Sequence, residues 1–243
     1  MPQIRAVLFD LDDTLIDHQH AARSATAGVR ARFPAFQQAS LDALAAEHQR
    51  ILDLLHHEVA IGARSVADAR IDRYRRLFAF VGADDAHAGA AAELHRRVYQ
   101  ACRRPVHGAR ELLAALHGQV TIGIVTNNTL AEQTEKLATF DLAPFVGALV
   151  TSEEVGVAKP DRRIFAAALE RVGCAADEAV MVGDSWAHDV QGARAAGIAA
   201  IWFNRARAPQ PDGAAVPQLA SLQPAGAVAA MLMRDHLASL HAV

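Results

Sequence analysis

The distribution of apolar and polar residues predicts two kinds of structure along the chain. From residue 104 onward, short runs rich in Val and Ile alternate with longer helical patterns. Together with the start of the chain, these runs predict buried strands at 5–10, 120–126, 147–151, 179–183 and 199–203. The predicted helices between them are 108–118, 130–139, 161–173 and 188–197. This alternation indicates an α/β fold with a parallel sheet flanked by helices.

Residues 18–103 interrupt the alternation with helical patterns rich in Ala, Leu and Arg. The predicted helices here are 20–32, 40–61, 65–82 and 86–103. Pro105 and Gly108 then mark the return to the α/β pattern. We therefore expect a core of residues 1–17 and 104–243, an all-helical insertion at 18–103, and a last helix near 223–240.

Composition and charge favour a globular protein with a small-molecule partner. The chain has 243 residues, of which 52% are hydrophobic and 21% charged, and its net charge is −3. Its scattered basic residues form no stripe typical of nucleic-acid binding. No run of about 18 apolar residues predicts a membrane span, and no signal peptide is apparent, so we expect a cytoplasmic protein. Cys102 and Cys174 are isolated and expected to be free thiols. The sequence does not choose between a monomer and a homodimer.

Polar residues follow four of the predicted strands, at the edge of a parallel sheet where ligands bind. They are Asp10, Asp12 and Thr14 after the first strand, Thr126, Asn127 and Asn128 after the second, Lys159 and Pro160 beyond the third, and Gly183, Asp184, Ser185 and Asp189 after the fourth. These positions predict a pocket with several carboxylates, a hydroxyl and one ammonium.

Carboxylates held this close repel one another, and the repulsion indicates a cation among them. Oxygen ligands from Asp10, Asp184 and the Asp12 carbonyl suit Mg²⁺, whereas the lack of nearby Cys and His argues against zinc. A phosphate monoester with about two negative charges would then fit the pocket. Backbone N–H groups and the Thr126 hydroxyl would bind the charge that Mg²⁺ and Lys159 do not balance.

A reaction with such a substrate assigns a role to each polar residue. Asp10 would attack phosphorus and form an aspartyl-phosphate. Asp12, which faces the same way two residues along the strand, would protonate the leaving oxygen and later activate water. Thr126 and Lys159 would hold the transferring oxygens. Asn127 would also contact substrate.

Four segments resemble motifs one to four of the haloacid dehalogenase-like (HAD) hydrolases, in the same order. They are DLDDT (10–14), VTNN (125–128), Lys159 with Pro160, and GDSWAHD (183–189). The resemblance implies a Rossmann-like core, dependence on Mg²⁺, and the roles given above for Asp10, Asp12, Thr126 and Lys159. It also implies Asp184 as a metal ligand supported by Asp189, and it places the family's helical C1 cap at 18–103.

The branch of the family follows from two of these positions. Dehalogenases lack an acid two residues after the nucleophile, so Asp12 argues against that activity. Thr14 favours a phosphatase over a sugar phosphomutase. FDLDDTLID and TSEEVGVAKPDRRIF are similar to the branch of N-acylneuraminate-9-phosphatase and pyrimidine 5′-nucleotidases, with phosphoglycolate phosphatases still possible.

We therefore expect a Mg²⁺-dependent phosphomonoester hydrolase acting on a small phosphorylated metabolite, such as a nucleoside monophosphate or sugar phosphate. A sugar phosphomutase and a non-catalytic metabolite-binding protein remain the alternatives.

Other charged and polar residues are given structural roles. Lys136 and Lys159 are the two lysines among 24 basic residues. Lys136 has Glu132 four residues before it and is predicted to form a surface pair on a helix. Asp13 is predicted to be a turn residue that points away from the pocket. Histidines outside the four motifs are expected on helix surfaces.

Overall fold

The protein consists of two units with different secondary structure in the computed structural model, which describes residues 3–60, 63–211 and 215–234. The first unit combines Met1–Ile16 with Pro105–Val243 and contains the sheet. The second unit, Asp17–Arg104, contains helices joined by short connections and no strand among its described residues.

Six parallel strands form the sheet of the first unit. They are β1 (Ala6–Phe9), β2 (Thr121–Thr126), β3 (Ala148–Thr151), β4 (Ala179–Gly183), β5 (Ala199–Phe203) and β6 (Gln218–Leu219). Their order is β3-β2-β1-β4-β5-β6, and every neighbouring pair is parallel. The predicted α/β class with a Rossmann-like sheet is confirmed. The pattern missed β6, which has only two residues.

Helices account for most of the remaining structure. The second unit contains α1 (His18–Arg32), α2 (Leu41–Ala60), α3 (Val66–Phe80) and α4 (Ala88–Cys102). The first unit contains α5 (Ala109–Leu116), α6 (Leu130–Thr139), α7 (Ser152–Val155), α8 (Arg162–Val172), α9 (Gly192–Ala195) and α10 (Ala225–Leu232), with a π-helical turn at Trp186–Gln191. The last predicted helix, 223–240, extends beyond α10 into 235–240, which lie outside the described residues. None of the helices in the described residues is long and apolar enough to cross a membrane.

The central strands are apolar because helices cover both faces of the sheet. All residues of β1, β4 and β5 are buried. On one face Phe9 belongs to a core cluster with Leu113 of α5, and on the other Leu8 belongs to a cluster with Phe165 of α8. This burial on both faces explains why the strands appear as continuous apolar runs.

The helical unit has its own apolar core, which includes Phe36, Leu44 and Phe78. His48 and His95 are also buried there, with their rings stacked at a centroid distance of 4.5 Å. The prediction of surface histidines is therefore wrong for these two.

The position of His48 on α2 explains its burial. It lies four residues after Leu44 and three before Ile51, on the apolar face of that helix. The side chains of His56 and His57 lie outside the described residues. Cys102 and Cys174 are free and partly buried, as predicted.

Candidate active site

The carboxyl ends of β1, β2 and β4 bring the first group of polar side chains together. Phe9 pairs with Ile124 of β2 and Val182 of β4, so these three strands end at the same edge of the sheet. Asp10 follows β1 directly, Thr126 ends β2, and Asp184 follows β4. The backbone N–H of Asp10 donates to the Val182 carbonyl at 3.0 Å, which fixes the start of the loop after β1.

Lys159 is buried at the centre of this group. Its Nζ lies 2.6 Å from Asp10 Oδ1, 2.7 Å from Asp189 Oδ1 and 2.8 Å from the Val125 carbonyl oxygen. An ammonium has three N–H donors, and these three acceptors use all of them. Lys159 thus holds two carboxylates of different loops against the end of β2.

Asn127 positions the backbone of Lys159. Its Nδ2 donates to the Lys159 carbonyl at 3.0 Å, and its Oδ1 accepts from the Lys159 N–H at 2.7 Å. Both ends of the side-chain amide therefore bind the loop that carries Lys159. The predicted contact of Asn127 with substrate stays a prediction. In the structure, its side chain holds the backbone of Lys159 in place.

Three carboxylates form an acidic cluster at the same edge. One oxygen from each of Asp10, Asp184 and Asp189 lies within 4.8 Å of the others. The Thr14 hydroxyl donates to Asp184 Oδ1 at 3.3 Å, and the backbone N–H of Ser185 donates to Asp189 Oδ2 at 2.9 Å. These bonds connect Asp184 to the loop that follows β1 and hold Asp189 at the start of the π-helical turn that follows β4.

The cluster carries more negative charge than Lys159 balances. Burial raises the pKa of Asp10 to about 7, against the opposing effect of Lys159 and with a further increase from Asp189. Burial and the charges of Asp10 and Asp189 raise the pKa of Asp184 to about 8. Burial lowers the pKa of Lys159, but the two carboxylates it binds outweigh this effect and raise it.

A divalent cation would remove this imbalance. The cluster offers oxygen ligands only, which hard cations such as Mg²⁺ prefer. The fit depends on donor chemistry and charge. Three carboxylates lie close together, and the single positive charge of Lys159 does not balance their negative charge. The residues present therefore fit a metal of this class.

Asp12 lies in a second group of side chains, together with two residues of α6. Its Oδ1 and Oδ2 accept from Lys136 Nζ at 2.8 and 2.9 Å. Oδ2 also accepts from Gln133 Nε2 at 3.0 Å, and the same nitrogen donates to Thr126 Oγ1 at 2.6 Å. Gln133 therefore connects the carboxylate of Asp12 to the hydroxyl at the end of β2.

The prediction that Lys136 is a surface residue is wrong. Its side chain is 0% exposed, although it does pair with Glu132 at 3.1 Å as expected. Gln133, Lys136 and Leu137 form the buried face of α6, and this face turns Lys136 toward Asp12. A local Glu–Lys spacing does not indicate which face of a helix is buried.

Gln133 is a site residue that the sequence did not predict. Its amide carries no charge and belongs to none of the four motifs. Two features of the sequence could have indicated Gln133. It lies on the helix after β2, and it comes three residues before a lysine in a chain whose basic residues are mostly arginine.

The predicted turn role of Asp13 agrees with its backbone. It has a positive φ of 64°, which Asp tolerates better than most residues, and its N–H donates to the Ile16 carbonyl at 2.6 Å. This turn separates Asp10 from the start of the helical unit.

Comparison with known proteins agrees with the four motifs. A family model described as haloacid dehalogenase-like hydrolase matches residues 4–197. Pyrimidine 5′-nucleotidase YjjG of Escherichia coli K12 is 43% identical over 112 residues, which cover 46% of this chain and about half, 50%, of that protein. Glyceraldehyde 3-phosphate phosphatase of Methanothermobacter thermautotrophicus is 30% identical over 208 residues, covering 83% of this chain and 86% of the relative.

A solved structure shows the same fold over most of the chain. The HAD-hydrolase YfnB of Bacillus subtilis, in a form bound to magnesium, superposes with a TM-score of 0.71 and 26% sequence identity. The match covers 90% of this chain and 96% of the YfnB chain. The resemblance drawn from the four motifs is confirmed, and the chain belongs to the haloacid dehalogenase-like hydrolases.

Proposed function

We propose that this protein is a Mg²⁺-dependent phosphatase that hydrolyses small phosphomonoesters through an aspartyl-phosphate on Asp10. One observation carries the proposal: Asp10 is buried beside Lys159, Asp184 and Asp189, while a second carboxylate, Asp12, is held separately on another set of bonds. Nucleophilic attack and proton transfer need two such carboxylates with different surroundings.

Asp10 is suited to attack because one of its oxygens is already fixed. Lys159 binds Oδ1 at 2.6 Å, so we assign the other carboxylate oxygen to the bond with phosphorus. The leaving oxygen takes a proton from Asp12 as its bond to phosphorus breaks. Asp12 then takes a proton from the water that cleaves the aspartyl-phosphate and releases inorganic phosphate.

The residues that would hold Mg²⁺ are Asp10, Asp184 and the backbone carbonyl of Asp12, with Asp189 in support. Bound there, the cation would supply positive charge to the phosphoryl oxygens and reduce the repulsion among the carboxylates. The relative YfnB, whose structure is bound to magnesium, supports the choice of this metal.

Thr126 and Lys159 would contact the transferring phosphoryl group in different ways. Gln133 occupies an acceptor site of the Thr126 oxygen, and the O–H of Thr126 is the group we assign to donate to phosphate. Lys159 uses its three donors on protein acceptors, so a direct bond to phosphate requires it to exchange one of them. Its charge acts on the site in either case.

The substrate class is supported by the relatives. Two of them are named as a pyrimidine 5′-nucleotidase and a glyceraldehyde 3-phosphate phosphatase, and both names denote enzymes that act on small phosphorylated metabolites. We therefore propose a nucleoside monophosphate or a sugar phosphate as substrate. We assign the helical unit, Asp17–Arg104, the role of the family's C1 cap, which selects the substrate and excludes water.

Phosphate release from a panel of esters tests this proposal. The panel holds p-nitrophenyl phosphate, nucleoside monophosphates and sugar phosphates, each measured with Mg²⁺ and with EDTA. We expect hydrolysis that needs Mg²⁺ and is lost in Asp10→Asn. Asp13→Asn is the matched control, because it removes a charge from the same loop and Asn tolerates its φ of 64°.

Four outcomes would contradict the proposal. Activity that persists in EDTA rejects the metal, and an unimpaired Asp10→Asn enzyme rejects the nucleophile. Isomerisation of a sugar phosphate without net release of phosphate would instead identify a phosphomutase, and tight binding without turnover would identify a metabolite-binding protein.

A further inference from the structure

Lys136 is a buried cation that the proposed reaction does not use directly. Its side chain is 0% exposed, and removing an ammonium from water is costly unless its charge is paired. Its described acidic partners are Asp12 and Glu132. Burial of this ammonium has a desolvation cost, and the ammonium binds a carboxylate of the candidate site. We therefore expect Lys136 to have a role beyond packing.

The contact with Asp12 fixes the carboxylate through both of its oxygens. Lys136 Nζ lies 2.8 Å from Oδ1 and 2.9 Å from Oδ2. One nitrogen at nearly equal distances from both oxygens fixes where the carboxyl group lies, and the bond from Gln133 Nε2 to Oδ2 restricts its rotation about the Cβ–Cγ axis.

Gln133 fixes the same carboxylate from a second direction. Its Nε2 donates one hydrogen to Asp12 Oδ2 and the other to Thr126 Oγ1, and the side chain is fully buried. The reverse amide orientation would direct its oxygen at a carboxylate. Gln133 Oε1 has no hydrogen-bond partner among the described residues, so the two donated bonds determine how the amide lies.

Both residues stand on a rigid element anchored close to the site. Gln133 and Lys136 are three residues apart and share one face of α6. This helix begins four residues after β2 ends, and Thr129 caps it by accepting a hydrogen bond from the Glu132 N–H. A short connection and a capped first turn keep both side chains in register with Thr126.

We propose that Lys136 and Gln133 are positioning residues, which hold the Asp12 carboxylate in the orientation its proton transfers require. The inference rests on the proposed function, because it assumes that Asp12 acts as acid and base. Correct placement of a catalytic group is worth large factors in rate, and a displacement of about 1 Å can cost about 100-fold. Substrate binding does not depend on this orientation.

The role predicts which step slows when the contact is lost. Aspartyl-phosphate formation from p-nitrophenyl phosphate needs little help from an acid, because p-nitrophenolate is a good leaving group. Formation from an alkyl phosphate needs Asp12 as acid, and hydrolysis of the intermediate needs Asp12 as base in both cases. A misplaced Asp12 therefore slows alkyl esters at the first step and p-nitrophenyl phosphate at the second.

The experiment compares three variants of the full chain with wild type. Lys136→Met keeps the apolar stem and removes the charge, and Gln133→Met removes the two donated bonds without changing any charge. Glu135→Gln, on the exposed face of α6, is the control. Each variant is checked for folding by circular dichroism and thermal melting before kinetics are measured.

We expect kcat for an alkyl phosphate to fall about 10- to 100-fold in Lys136→Met and by a smaller factor in Gln133→Met, with KM changed less than about threefold. With p-nitrophenyl phosphate, a burst of p-nitrophenolate should precede a slowed steady state. Glu135→Gln should match wild type. A purely structural role would change the melting temperature without this division between substrates.

Two results would overturn the inference. In the first, folded Lys136→Met and Gln133→Met keep wild-type kcat with the alkyl phosphate, while Asp12→Asn is impaired; this rejects the positioning role alone. In the second, Asp12→Asn hydrolyses all substrates like wild type; this rejects the proposed function of Asp12 and the inference with it.

Discussion

The two stacked histidines of the helical unit make its stability depend on pH. His48 and His95 are 3% and 8% exposed, and His95 Nε2 has no hydrogen-bond partner among the described residues. Burial lowers the pKa of His95 to about 3, helped by the charges of Arg73, His18 and Arg70. Burial and the neighbouring His95 and Arg73 also lower the pKa of His48 well below its usual value.

The sign and size of the effect follow from these pKa values. The unfolded chain binds a proton at His95 below about pH 6.5, whereas the folded protein does not bind it until about pH 3. The free energy of unfolding therefore falls as pH decreases through this window, by about 1.4 kcal/mol per pH unit for this one group. Between pH 6.5 and 4.5 His95 costs about 3 kcal/mol, and His48 adds to the loss in the same direction.

The assay is urea unfolding followed by far-ultraviolet circular dichroism at pH 7.5, 6.0 and 5.0. In His95→Leu a non-titrating side chain replaces the ring and its unpaired nitrogen, so we expect little change at pH 7.5. Below pH 6.5 the variant should gain on wild type by about 1.4 kcal/mol per pH unit. His87→Leu, at an exposed histidine at the start of α4, should follow wild type. If the free energies of unfolding of wild type and His95→Leu change equally with pH, His95 is not the source of the pH dependence.

Two further predictions concern the acidic cluster. A Cβ at Gly183 would lie 2.3 Å from the Asp189 carboxyl group, so Gly183→Ala should displace that side chain. We expect the variant to be less stable by about 1–3 kcal/mol and to bind Mg²⁺ more weakly in calorimetry. An unchanged melting temperature would count against this close packing of Gly183 and Asp189. Trp202 Nε1 donates to the Asp184 carbonyl at 2.7 Å, and its ring contacts Trp186, the only other tryptophan of the chain. Mg²⁺ should therefore change tryptophan fluorescence in wild type but not in Asp184→Asn, and a response equal in both proteins would place the metal elsewhere.

The sheet was predictable because its central strands are buried on both faces and therefore appear as uninterrupted apolar runs. The prediction for α6, 130–139, matches the observed Leu130–Thr139, because Thr129 caps its start. The prediction of one helix at 188–197 differs from the structure, which has a π-helical turn from Trp186 and only then α9. Ser185 accepts from the His188 N–H, and its own N–H donates to Asp189. Such side-chain bonds to the backbone leave no trace in the apolar period.

The acidic cluster was predictable from strand ends, since Asp10 and Asp184 each follow a strand at the same edge of the sheet. The surroundings of Asp12 were not. The Glu132–Lys136 spacing is the same on a solvated and on a buried helix face, and only the packing of α6 decides between them.

Detection of the phosphorylated enzyme decides whether Asp10 is the nucleophile. The protein is mixed with p-nitrophenyl phosphate and Mg²⁺, quenched in acid within a single turnover, digested, and analysed by mass spectrometry for a phosphoryl group on the peptide that contains Asp10. We predict the label on Asp10 in wild type, a larger amount in Asp12→Asn, where hydrolysis of the intermediate is slowed, and none in Asp10→Asn. Steady hydrolysis with no phosphoryl group on the protein, or with one on another residue, would show that Asp10 is not the nucleophile.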